Sequence, residues 1–292
     1  MKKVILFIFL AAFIFATMEV ALKIGGNRID PFQLTFIRFL FGGIFLLPFG
    51  IAERKRSDTT LQVRDYLYFL LLGAVCVPVS MLLFQIGVLG SNAATAAVIF
   101  SVNPVFTAVF AHFLGKDDKL NKVKTVSLLI AVLGIVMMIR PWDIQPGNSI
   151  AGAMISIVAA AAFSLYSVLG GRTLKKAGTF TQTSVSFIFG ALLLLIVLII
   201  TGKPIFSGIS SDIPLVLYVS FVVSGAGYLV YFLAIRYSNA TTGSITFFLK
   251  PIIAPIIAAI VLSEEITWNM YIGVFLILVA SFVMIREKMK TS

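Results

Sequence analysis

Ten stretches of mostly apolar residues follow one another along this chain of 292 residues, with only short polar breaks between them. They fall at approximately 4–24, 32–51, 66–87, 92–114, 123–140, 149–171, 181–201, 213–235, 240–262 and 269–286. A spanning helix needs about 20 such residues, because a rise of about 1.5 Å per residue then matches a hydrocarbon layer about 30 Å thick. Lipid satisfies no backbone N–H or C=O group, so segments of this kind must close their hydrogen bonds internally, as helices. The composition, 60% hydrophobic and only 12% charged, excludes an ordinary water-soluble domain of this length. The expectation is an all-α membrane protein with ten transmembrane helices and no separate soluble domain.

Lys2-Lys3 followed by an apolar run is also how a secretory signal begins. Here the run outlasts the usual signal length, lacks a small-x-small cleavage site and is followed by nine more segments, so it reads as a retained helix. Cys76 is the single cysteine and His112 the single histidine, which leaves no material for a disulfide framework, a metal site or a His-dependent nucleophile. No cofactor is expected. There is no HExxH, no paired-aspartate motif and no GxxxxGK[ST], so a membrane-embedded enzyme is the weaker alternative and ATP cannot be the direct energy source.

The net charge of +11 could suggest a nucleic-acid partner, but the distribution of the charges argues for a membrane. With a cytoplasmic N-terminus, one side of the membrane holds Lys2, Lys3, Arg54, Lys55, Arg56, Arg64, Lys116, Lys119, Lys122, Lys124, Arg172, Lys175, Lys176, Arg236, Arg286, Lys288 and Lys290. The other side holds only Arg28, Arg140 and Lys203. That bias predicts a multi-pass protein of the cell membrane with both termini in the cytoplasm, and a basic surface that suits anionic lipid.

The sequence repeats itself. A shift of 147 residues lays SNAATAAVIFSVNPVFTAVFA (91–111) over SNATTGSITFFLKPIIAPIIA (238–258), matching the Ser-Asn-Ala start, Thr95 with Thr242, Phe100 with Phe247, Pro104 with Pro251 and Ala111 with Ala258. A shift of 148 lays Phe39–Gly42 over Phe187–Gly190 and Phe15 over Phe163. The expected units are 1–140 and 149–292, each of five helices. Five is odd, so the second unit enters the membrane from the opposite side. Two such inverted halves can rock about a midplane site to give alternating access.

PFQLTFIRFLFGGIFLLP at 31–48, the SNA-to-NPVFTAVFAHFLG stretch at 91–115 with VSLLIAVLGIVMMI at 126–139, and YSNATTGSITFFLKPIIAPIIAAIVLSEEIT at 237–267 together resemble the drug/metabolite transporter superfamily, specifically its EamA-type ten-helix exporters. The resemblance covers the whole chain. It implies secondary active export of a small metabolite, with amino acids and related organic compounds as candidates, driven by a proton gradient or by exchange. The proline-containing helices of that family end in Leu-Gly-Glu. This chain reads Leu114-Gly115-Lys116 and Leu262-Ser263-Glu264, a departure in the first half.

Ionisable groups inside hydrocarbon are costly and mark functional sites. Those here are Glu19, Lys23, Arg38 and Lys250, with Asn103 as a neutral companion. Lys23, near the end of its helix, is expected to snorkel to the interface. Glu19 and Arg38 lie about 7.5 Å and about 9 Å below the outer surface at 1.5 Å per residue, depths that permit an ion pair, structural or functional. Asn103 and Lys250 occupy equivalent repeat positions near the midplane. Each precedes a proline, Pro104 or Pro251, which removes a backbone hydrogen bond and is expected to break its helix. Tyr166, Tyr228 and Tyr231 are candidates to line a substrate cavity. A lipid or lipid-headgroup flippase stands as the alternative within transport, and a monomer and a homodimer fit equally.

Overall fold

The computed structural model describes residues 2–57, 59–114, 121–140 and 147–291. Gly115, Lys116 and Lys119, which entered the motif and charge arguments, lie outside the described residues. Helices occupy all ten apolar stretches: α1 Lys3–Gly26, α2 Pro31–Lys55, α3 Val63–Leu89, α4 Ala93–Leu114, α5 Lys122–Ile139, α6 Ile150–Gly171, α7 Thr179–Ile200, α8 Ile213–Arg236, α9 Ala240–Leu262 and α10 Trp268–Thr291. Eight are long and apolar enough to cross a membrane; α5 and α10 contain shorter apolar stretches, Thr125–Met138 and Trp268–Ala280. Among the described residues there is no strand.

Local chemistry fixes the helix starts. Asp30 precedes Pro31 and accepts from Phe32 N at 2.8 Å, a side-chain cap followed by a proline whose missing N–H costs nothing there. Asn239 and Ser149 cap α9 and α6 in the same way, at 2.8 Å and 3.0 Å. The N-terminus of α7 is capped from a distance. Glu53, at the end of α2, accepts from Thr179 N and Thr181 N, both at 3.0 Å, and Gly178 at φ 86° makes room for it. At the far end of α7, Lys203 donates to Asp30 at 2.6 Å.

Several helices are interrupted. α1 turns at Thr17, whose hydroxyl lies 2.5 Å from Tyr218 Oη. α3 and α8 contain π turns at Val75–Met81 and Tyr218–Gly227, and Pro78 in the first removes a backbone donor. α4 breaks at Ser101–Val102, just before Asn103-Pro104. The expected break at Pro251 is elsewhere: α9 is interrupted at Ser244–Ile245, and Pro251 lies inside the continuous piece Thr246–Leu262. Tight turns mark that interruption, Phe247 N donating to Ser244 O and Phe248 N to Ile245 O, both at 2.9 Å, one turn upstream of the proline.

The packing repeats when the first five helices are exchanged for the last five. α2 packs on α8 as α7 packs on α3; α1 packs on α8 as α6 packs on α3; α1 packs on α9 as α6 packs on α4. α2 with α7, α4 with α9 and α5 with α10 are their own counterparts. Small residues set these approaches: a Cβ at Gly73 would stand 2.3 Å from Ser186 O, and one at Gly42 would stand 2.9 Å from Ser220 O. Apolar side chains such as Phe9, Phe13, Leu129, Ile199 and Phe275 are exposed, as lipid-facing groups should be.

Candidate functional site at the helix crossing

Lys250 and Glu19 form a buried ion pair where α9 crosses α1. Both side chains are sealed, at 0% and 1% exposure. Lys250 Nζ also faces the rings of Phe100, Phe84 and Phe247, at 4.9, 5.5 and 5.8 Å from their centroids. Aromatic faces attract a desolvated ammonium, so the cation is held by one carboxylate and three rings. Glu19 lies just past the turn at Thr17, and only its Oε1 is engaged; Oε2 has no hydrogen-bond partner.

The expected pairing of Glu19 with Arg38 is therefore corrected: the carboxylate belongs to Lys250. Arg38 is fully buried, stacks over Phe39 at 4.6 Å and donates through Nη1 to Met18 Sδ at 3.9 Å. The equal depth of Glu19 and Arg38 permitted their pairing, but depth does not fix the direction in which a side chain leaves its helix.

Asn103 does not meet Lys250. Its Nδ2 donates to Ala160 O at 3.3 Å, its Oδ1 accepts from Thr107 at 3.2 Å, and its backbone carbonyl accepts from Ser164 Oγ at 3.0 Å. It joins α4 to α6 as Lys250 joins α9 to α1. Lys23 is half-buried near the end of α1. Its Nζ donates to the carbonyls of Val88 at 3.1 Å, Leu89 at 3.4 Å and Ser91, and so caps the C-terminus of α3.

All three tyrosines are buried near this crossing. Tyr228 Oη donates to Met81 Sδ at 2.7 Å and Tyr231 Oη to Ser167 Oγ at 2.9 Å, while the Tyr166 hydroxyl has no partner. Their rings belong to a continuous aromatic assembly that includes Phe15, Phe163 and Phe247. Several contacts link residues that the repeat makes equivalent: Phe39 with Phe187 at 4.7 Å, Phe100 with Phe247 at 5.7 Å, and Met81 with Tyr228.

Sequence reasoning missed the rings of Phe84, Phe100 and Phe247 as partners of Lys250, although the repeat had already matched Phe100 with Phe247. It also missed Glu264, whose carboxylate accepts from Ala93 N at 2.7 Å and Ala94 N at 2.9 Å, capping α4 from the end of α9. The Leu-Ser-Glu ending was the available signal. Elsewhere, an apolar cleft of about 420 Å³ between α4, α5 and α6 is lined by residues such as Val105, Leu128 and Met154. It suits an acyl chain and offers no group for a lipid headgroup. Among the described residues no cluster of His, Cys, Asp and Glu could hold a metal ion.

The EamA-like transporter family model matches this chain twice, over residues 2–140 and 150–286. An uncharacterized transporter of Clostridium kluyveri is 36% identical over 97% of this chain and 93% of its own length. One from Archaeoglobus fulgidus is 25% identical over 90% and 91%. The S-adenosylmethionine uptake transporter of Rickettsia prowazekii is 25% identical over 54% of this chain and 51% of its own. A protein of known crystal structure superposes over 97% of this chain and 96% of its own with a TM-score of 0.72, at 17% identity, a likeness of fold alone.

Proposed function

The chain belongs to the EamA-like transporter family, a multi-pass membrane transporter of small molecules rather than an enzyme, and we propose that it is a secondary active transporter working by alternating access around the Glu19–Lys250 crossing. The solute is a small organic metabolite, an amino acid or a related compound. The observation that carries this reading is a charged pair sealed among aromatic rings beside contacts between repeat-equivalent residues. A buried ion pair is poor as simple glue, since desolvation consumes most of what the attraction gains. It is well suited to a site that opens, because a charged group of the solute can replace one partner at little net cost.

Two further features support the halves as moving bodies. The family model matches each half separately, and the helix contacts survive exchange of the halves, as an inverted repeat about an in-plane axis requires. The interruptions in α1, α4 and α9 lie on the helices that carry Glu19, Asn103 and Lys250, where non-ideal backbone can adjust without breaking long helices. Export is the direction the family resemblance implied, whereas a relative is named for uptake. The driving gradient sets the direction, and the same geometry serves both. Both termini are assigned to the cytoplasm on the Lys/Arg distribution.

The test is transport by purified protein in liposomes, loaded with a metabolite mixture and read by mass spectrometry under an imposed proton gradient. Accumulation of a solute that is lost with Lys250→Met supports the proposal. Undiminished flux in a folded Lys250→Met protein defeats it.

A further inference from the structure

Among the described residues, Arg38 leaves the most buried side-chain polar atoms without a partner. Its side chain is fully buried, its Nη1 has only the Met18 sulfur, and its Nε and Nη2 have no partner. A guanidinium cannot shed its proton to escape this situation. Among the described residues, the buried side chains of formal charge are Glu19, Arg38 and Lys250. Glu19 and Lys250 cancel, so the centre holds one uncompensated positive charge, and it resides on Arg38.

The surroundings of Arg38 are unfinished in the same way. Ser220 Oγ and Ser224 Oγ, on the π turn of α8, are buried without partners. The two serines approach α2 at Gly42 through Ser220 O and Ser224 Cβ, and Gly42 is one helical turn from Arg38 on the same face. The guanidinium plane rests on Phe39, which is in ring contact with Phe187 and Tyr228.

The geometry points to Arg38 as the receptor for an anionic group on the transported solute, and to small organic monocarboxylates with an apolar body as the solute class. This rests on reading the centre as the transport site. One negative charge neutralises the interior, and a planar carboxylate matches the two-pronged donor edge of a guanidinium. A phosphate, at −1.5 to −2 near neutral pH, would overcompensate it. The rings of Phe39, Phe187 and Tyr228 then cover the apolar part, and the serine hydroxyls donate to whichever carboxylate oxygen faces α8. An organic cation meets a net positive centre and is disfavoured.

The experiment uses the full chain in detergent and pairs of probes that share one body: 3-phenylpropionate, benzoate and isovalerate, each against the amine of matching skeleton. The carboxylates are expected to raise Tm and the amines are not. Arg38→Gln is expected to weaken carboxylate binding at least about tenfold, the effect of losing a charge-assisted hydrogen bond, with partial recovery in Arg38→Lys. Stabilisation by the amines in preference, by none of the carboxylates, or undiminished carboxylate binding in Arg38→Gln overturns the assignment. If that variant is not monodisperse, the wild-type order of carboxylate against amine decides alone. Carboxylate binding without flux in proteoliposomes would retain the receptor and refute transport. Amine flux without carboxylate binding would do the reverse.

Discussion

Asn103 and Lys250 stand 147 residues apart at matching positions of the two repeats, each followed by proline, and they differ in what they hold. Asn103 donates to the backbone of Ala160 on α6, whereas Lys250 holds the carboxylate of Glu19 on α1. The same contrast extends to the other charges: the mates of Glu19 and Arg38 at a shift of 148 are Ser167 and Ser186. Among the described residues the three buried charges lie on α1, α2 and α9, with neutral hydrogen-bonding residues at the positions the sequence repeat pairs with them. Two conformations related by exchange of the halves would share a backbone geometry but not a free energy, and ligand binding to the charged positions could then favour one over the other.

The ion pair makes a sharp stability prediction. Glu19→Gln or Lys250→Met alone leaves an uncompensated buried charge and should cost about 3–5 kcal/mol, whereas the double variant should recover most of that loss. Thermal unfolding of the three variants in one detergent checks this. Simple additivity would mean that the two groups are not coupled.

Glu264 is expected to act on a helix it does not belong to. Because its carboxylate satisfies two N–H groups at the start of α4, Glu264→Ala should destabilise the protein by about 1 kcal/mol, the usual size of a lost N-cap. Hydrogen exchange should locate the loss at residues 93–96 rather than around position 264. Uniform loss of protection would contradict a local capping role.

The glycine contacts predict a contrast between two conservative changes. Gly73→Ala would drive a methyl group to 2.3 Å from Ser186 O and 2.7 Å from Gly190 N, both backbone atoms, so α3 and α7 must separate. Gly171→Ala meets only Ile235 Cγ2 at 3.3 Å and Ala240 Cβ at 3.9 Å. The first should fail to give monodisperse protein or lose several degrees in Tm, and the second should behave like the parent. Equal behaviour would show that the α3–α7 approach is looser than described.

The positions of the helices were legible because lipid leaves the backbone one choice and makes the apolar stretches long. The two stretches that the family model matches separately were marked by the Ser-Asn-Ala and proline landmarks. The partners of the buried charges were not: Glu19 and Lys250 are 231 residues apart, and only the crossing of α1 and α9 brings them together. Pro251 misled because a proline predicts a freed carbonyl one turn earlier, while the neighbouring turns decide where the helix yields. The capping role of Glu264 was hidden because the helix it caps lies 170 residues earlier.

Topology gives the last prediction. Seventeen Lys and Arg residues are assigned to one face and three to the other, a difference too large for insertion to invert easily. Cysteines at Thr59 and Lys119 should react only with reagent supplied from the cytoplasm, and cysteines at Asn148 and Ser210 only with reagent from outside. The native Cys76 is buried and gives a low background, so each added cysteine can be placed without first removing it. Impermeant maleimide applied to intact cells, before and after permeabilisation, reads both faces. Reaction of the Thr59 variant in intact cells would reverse the assignment of both termini, and with it the side from which the Arg38 centre is reached first.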